Sequence, residues 1–161
     1  MAAEANFANL QAASSMSIAI PDYLHNHDQV VTAFGRWPSF HDGYLLRWEM
    51  LGDAIELEVE GWNLSLVVDE RGYFTTEKHH RVVFHFEGVY ADELDGLRRC
   101  DEEFGTNILS ALMFAELTDS TFEVVIESAG GSEFAGIFYA RRGKVLSVTP
   151  SPLMDNGESE A

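Results

Sequence analysis

With 161 residues, 46% of them apolar and eleven of them Phe, the chain is large enough for one domain with a full hydrophobic core and too short for two. Its 27 Asp and Glu against 10 Lys and Arg give a formal net charge of −17, which repels phosphate backbones and anionic lipid and argues against nucleic acid or a membrane surface as a partner. A single cysteine, Cys100, excludes an internal disulfide and a Cys-rich metal centre.

The first 20 residues are rich in Ala, Ser and Asn and read as a loose tail. They carry no basic n-region, only the short apolar run Met16 to Ile20, and so do not read as a secretory signal. Met16 also offers a second possible start. From 28 to 34, "DQVVTAF" sets Val30, Val31 and Phe34 at helical spacing, with Asp28 as N-cap and Gly35 as the stop. After Pro38 the apolar period falls to two, the mark of strands. Tyr44, Leu46, Trp48 and Met50 are expected on one face. In "DAIELEVEGW", Ile55, Leu57 and Val59 alternate with Glu56, Glu58 and Glu60.

"NLSLVVD" reads as a separate strand before the turn "DERG". "HRVVFHFEGV" is expected to turn Val82, Phe84 and Phe86 inward and Arg81, Val83 and His85 outward. "ADELDGLRRCDEEFG" is dense in charge and reads as a solvated connection. "TNILSALMFAELTD" fits helix or strand; its β surroundings favour a strand with Ile108, Ser110, Leu112 and Phe114 on one side. In the next strand Phe122, Val124 and Ile126 alternate with Glu123, Val125 and Glu127. A hairpin turn at "SAGGS" then leads into "EFAGIFYARRG" and "KVLSVTP".

The expected fold is α+β but mostly β: an antiparallel sheet of about seven strands with one short N-terminal helix packed on it. The domain is expected over 21–150, with an acidic, disordered tail over 151–161. Removing the terminal "DNGESEA" leaves 24 acids against 10 bases, or −14, so the acidity belongs to the body. Period-2 spacing projects Glu56, Glu58 and Glu60 from one strand and Glu123 and Glu127 from another. Like charges facing one another destabilise a sheet, so either these strands are apart or cations or a partner offset the repulsion.

Candidate chemistry is sparse. His41-Asp42 has the residue types of a metal-dependent hydrolase, but it sits between a proline and a strand, where Phe40 serves as a core anchor and Asp42-Gly43 as turn chemistry. His25 and His27 stand two apart, and His79, His80 and His85 lie further on; no third zinc ligand is evident from spacing, so solvated histidines are the expectation. Ala91, Glu93, Asp95, Gly96 and Glu102 imitate a calcium loop, yet Ala91 occupies the first ligand position. Cys100 lies among acids that raise a thiol pKa, and "SAGGS" lacks the Lys of a phosphate loop. No cofactor is expected.

The order of "WPSFHDGYLLRWEM", "VVFHFEGV", "TNILSALMF" and "GIFYARRGKVLSVTP" resembles the immunity protein 50 family of bacterial polymorphic toxin systems, over Arg36 to Pro150. Trp37, Phe40, His41 and Asp42 carry the most specific part of the likeness. The single cysteine, the want of a secretory signal and the want of an apolar run of about 20 residues lead to the expectation of a soluble, cytoplasmic protein; the resemblance implies that it neutralises a cognate toxin by binding it and transfers no catalytic residue, so no enzymatic activity is expected. The acidic body makes a basic effector such as a nuclease the expected toxin, with Glu56, Glu58, Glu60, Glu123 and Glu127 as the contact surface. The alternatives are a small hydrolase or ligand-binding protein centred on His41 and Asp42, and a homodimer built on exposed aromatics such as Trp62 or Tyr139.

Overall fold

The computed structural model describes residues 19–94, 107–117, 119–129 and 135–151. Helix α1 (His27–Phe34) precedes β1 (Tyr44–Leu51), β2 (Ala54–Val68), β3 (Phe74–Glu87), β4 (Tyr90–Glu93), β5 (Asn107–Glu116), β6 (Phe122–Ser128), β7 (Ala135–Ala140) and β8 (Arg142–Pro150). The eight strands form one antiparallel sheet in the order β4-β7-β6-β5-β1-β2-β3-β8. The segment 95–106, with Cys100, and the "SAGGS" residues from 130 onward lie outside the described residues.

α1 forms because Val30 and Phe34, four apart, both reach the core. Gly35, at φ +78°, ends it by donating its N–H to the Val31 carbonyl at 2.8 Å. The helix starts at His27 rather than being capped by Asp28: Asn26 holds the N-cap position and its side-chain amide donates instead to the Val145 carbonyl of β8, at 3.4 Å. Asp28 falls in the first turn, where a carboxylate still meets the positive end of the helix dipole.

The sheet departs from its sequence expectation wherever a bulge changes the parity of a strand. β1 slips between Leu45 and Arg47, so Leu45 is buried and Trp48 packs on the core while Tyr44 and Arg47 lie on the other face. The expected stripe of Tyr44, Leu46, Trp48 and Met50 is therefore broken at Leu46. β5 slips between Leu109 and Ala111; Leu109 and Leu112 are buried, and Ile108 is exposed. "NLSLVVD" is not a separate strand, because β2 runs on through it to Val68. The acidic connection opens with a short strand, β4.

Elsewhere alternation holds. Ile55, Leu57, Val59, Val82, Phe84 and Phe86 are buried from β2 and β3, as are Phe122, Val124 and Ile126 from β6. Among the described residues β1 and β5 share two register pairs, Tyr44 with Ile108 and Leu45 with Asn107. At that narrow joint the sheet folds over into two wings, β1-β2-β3-β8 and β5-β6-β7-β4, whose inner faces meet. Phe86 of β3 lies 5.9 Å from Phe122 of β6 and 5.2 Å from Phe138 of β7, ring centre to ring centre.

The loop from Trp37 to Gly43 holds the joint. Asp42 donates its N–H to the Leu109 carbonyl at 2.9 Å, and Leu109 donates back to Gly43 at 2.8 Å. Gly43 admits no side chain, since a Cβ there would stand 2.4 Å from the Glu60 carbonyl oxygen. Phe40, buried between Phe34, Trp37 and Phe84, has a left-handed φ of +56°. That conformation costs a non-glycine residue about 1–2 kcal/mol, and burying a Phe side chain, at about 1.5–3 kcal/mol, offsets it.

Two substitutions test this. Phe40→Ala should lower stability in urea unfolding by about 3–5 kcal/mol, the usual cost of emptying an aromatic core site. Phe40→Gly should retain about 1 kcal/mol more than Phe40→Ala, because glycine takes a positive φ without penalty. Equal losses would show that the backbone there is unstrained.

Candidate partner-binding surface

Phe40 points into the core, whereas His41 and Asp42 stand on the surface with side chains 62% and 66% exposed. Asp42 has φ +64°, a turn conformation that Asp tolerates. His41 Nδ1 lies 2.9 Å from the Ser110 carbonyl oxygen, and its Nε2 lies 3.7 Å from the Asp42 carboxylate. The first contact ties the loop to the β5 bulge, and the second lies within the loop. Trp37 is buried against Phe40, Phe84 and Phe114. Trp37, Phe40, His41 and Asp42 thus stand together at the joint between the wings.

The remaining histidines are dispersed. His25 is held by backbone bonds to Gly143 and Val145, His27 Nδ1 lies 2.9 Å from the Leu24 carbonyl oxygen, and His80 packs edge-on to Phe34. His79 stacks on Trp62 at 5.1 Å, and its Nδ1 is buried without a hydrogen-bond partner. Burial holds the His79 imidazole below its ordinary pKa, with Glu60 opposing that shift and His80 adding to it. Among the described residues no three His, Cys, Asp or Glu side chains converge as metal ligands. A shallow cleft between α1 and the ends of β3 and β8 is lined by Asp28, Gln29, Thr32, His80, Val148 and Pro150, and includes neither His41 nor Asp42.

The two groups of glutamates sit in different electrostatic settings. On β2, Glu56, Glu58 and Glu60 share the outer face of their wing, but the neighbouring strands place cations against each of them. Arg47 reaches Glu56 at 2.9 Å, Glu49 at 3.3 Å and Glu58 at 3.5 Å. Arg81 lies 3.3 Å from Glu60, which is only 2% exposed, and 3.9 Å from Glu58. His85 stands between Glu56 and Glu87 at 3.2 and 3.4 Å. The hydrogen bond from Arg47 holds the Glu56 carboxyl below its ordinary pKa against the opposing effect of burial. The repulsion expected along this ladder is met by cations of the same chain, and these three carboxylates have little left to offer a partner.

The other wing differs. Its register aligns Met113, Val125, Ile137 and Glu93 across β5, β6, β7 and β4. Beside that row run Ala115, Glu123, Tyr139 and Tyr90, and on the other side Glu127 pairs with Ala111. Because Val124, Ile126 and Phe138 point inward, all of these project from the outer face. Met113 is 46% exposed, and Glu93 and Glu127 are exposed. Tyr139 stacks on Tyr90 at 5.6 Å and is hydrogen-bonded to Glu123, which raises the phenol pKa. Arg141, over the Tyr90 ring at 5.4 Å, stands at the margin.

Among the described residues no Lys or Arg pairs with Glu93, Glu123 or Glu127, so the surface is a shallow apolar row rimmed by carboxylates without a cationic partner, Glu123 bonded only to the Tyr139 hydroxyl. Sequence alternation located Glu123 and Glu127 here; Met113, Ile137, Tyr90 and Glu93 join them only through register. Trp62 and Tyr139, the aromatics suggested for a homodimer, are both stacked within the chain.

Comparison with known proteins returns no matching family model and no significant match to a curated protein or a solved structure. Among the described residues no helix is long and apolar enough to cross a membrane.

The depressed pKa values of His79 and Glu56 fix the sign of their contributions to the pH dependence. A group that binds protons less readily when folded contributes stability that is present above its unfolded pKa and lost as the pH falls. Stability should therefore decline first below about 6.5, through His79, and again below about 4.5, through Glu56. Denaturant midpoints measured against pH should show both steps in the native chain, and the first should vanish in His79→Gln. A native profile that is level through the histidine range would contradict the assignment.

Proposed function

We propose that this protein neutralises a cognate toxin by binding it, as the likeness to the immunity protein 50 family implies, and that the toxin docks on the outer face of β4, β7, β6 and β5. The supporting observation is the contrast between the wings. The β2 glutamates are paired by Arg47, Arg81 and His85, while Glu93, Glu123 and Glu127 rim an apolar row with no cation opposite them among the described residues. Such a face suits a protein that presents apolar side chains ringed by Lys and Arg, and its charge speeds encounter and fixes register more than it sets affinity. A basic effector such as a nuclease fits that description, and an acidic inhibitor in the cytoplasm would occupy the surface the toxin uses for phosphate. Blocking of this kind needs neither catalysis nor a cofactor.

The test is titration of the chain with the toxin encoded beside its gene. Native protein should bind tightly, with affinity falling as salt rises. Glu123→Lys combined with Glu127→Lys should weaken binding by about tenfold or more, mostly through the association rate. Glu56→Gln should change binding little. Loss of binding in Glu56→Gln with none in the double reversal would move the interface to the other wing; no binding by native protein would remove the toxin reading.

A further inference from the structure

One row of the outer face is built differently from its neighbours. Ala115, Glu123, Tyr139 and Tyr90 follow one another across β5, β6, β7 and β4, and the aromatic half of that row is fixed in place. The Tyr90 hydroxyl donates to the Thr121 hydroxyl oxygen at 3.2 Å, and Thr121, itself buried, donates in turn to the Asp119 carboxylate. Tyr139 stacks on Tyr90 with the ring planes 25° apart, and the Arg141 guanidinium lies over the Tyr90 ring. The Arg141 stem is seated on Gly88, where a Cβ would stand 2.9 Å from its Cδ.

The row thus already holds one guanidinium, supplied by this chain at its β4 end. At its β5 end the parts that recognise a second are present. Glu123 and Tyr139 are direct cross-strand partners, which sets a carboxylate beside an aromatic ring, and the Tyr139 hydroxyl is bonded to that carboxylate. One such bond uses one of about four acceptor positions on the two oxygens. Directly across on β5 stands Ala115, exposed and only a methyl group in length, so the other positions can be approached from that side.

We propose that Ala115, Glu123 and Tyr139 form an arginine subsite, in which a guanidinium of the toxin lies over Ala115, bonds the Glu123 carboxylate and stacks against Tyr139, with Tyr139 as the residue that positions Glu123. The inference rests on the toxin reading and names the cation this face selects. Carboxylate and ring together favour arginine over lysine, because the planar guanidinium forks onto two oxygens and stacks on an aromatic face, whereas an ammonium is a compact, strongly hydrated point charge. A carboxylate held in advance also loses less side-chain freedom when it pairs, and that loss is what makes most exposed ion pairs weak. Glu123 is therefore the anchor of the face, and Glu127 and Glu93 contribute mainly to its field.

Stopped-flow kinetics with the toxin encoded beside the gene separate the two roles. Glu123→Gln should raise the dissociation rate roughly fivefold, whereas Glu127→Gln and Glu93→Gln, which remove the same charge, should leave it within about twofold. Tyr139→Phe keeps the ring and the net charge and should raise dissociation about threefold with association unchanged. Ala115→Leu, also neutral in charge, should match Glu123→Gln by closing the approach, and the thermal midpoints of these outer-face variants should stay at the native value. In double-mutant cycles the effect of Glu123→Gln should disappear against one toxin arginine replaced by lysine. Failure of the native chain to bind the toxin would remove the toxin reading and the subsite with it. Native binding in which the three glutamates act alike, or in which Glu123 couples to a toxin lysine, would overturn the subsite alone.

Discussion

The structure depends on how two wings of one sheet are held at the joint between β1 and β5. The two register pairs that β1 and β5 share among the described residues do not by themselves fix the angle between the wings. The angle is set instead by the aromatic packing of Trp37 and Phe40 and by the reciprocal bonds of Asp42 and Gly43 with Leu109. Once the joint is folded, Phe86 can meet Phe122 and Phe138, and every outward residue is committed to one of two faces. The positive φ of Phe40 belongs to this logic, because the chain must reverse sharply while keeping a large ring in the core.

That commitment separates the acids into two populations. β2 lies between β1 and β3, both of which carry outward cations, and an antiparallel register brings those cations beside its glutamates. β6 lies between β5 and β7, whose outward residues opposite Glu123, Val125 and Glu127 are apolar, small or tyrosine. The same local pattern, glutamate at every second position, therefore gives a self-satisfied ladder in one wing and an open surface in the other. Local alternation cannot distinguish them, because the difference comes from strands distant in sequence.

This is also the limit of what the sequence displayed. Alternation sorted β2, β3 and β6 correctly into inward and outward residues, since unbroken period-2 runs leave one reading. It failed at Leu46 and Ser110, where one extra residue flips the parity and no local signal marks a bulge. The full length of β2 was hidden for a related reason: Gly61, Trp62 and Asn63 look like a break, but β2 passes through them with a register slip, and the Asn63 amide donates to the Phe34 carbonyl at 2.6 Å. The role of Phe40 as a core anchor was legible from its setting between Pro38 and Asp42-Gly43. Arg47 as the counter-charge to Glu56 and Glu58 was not, because which glutamates it stands beside is set by the β1–β2 register, which the bulge slips.

The most direct measurement is carbodiimide footprinting of carboxylates, with and without the toxin encoded beside the gene. In free protein Glu93, Glu123 and Glu127 should label readily and the buried Glu60 should resist; adding toxin should shield Glu123 and Glu127 and leave Glu56 and Glu58 unchanged. Shielding at Glu56 and Glu58, with Glu123 and Glu127 still reactive, would contradict the account.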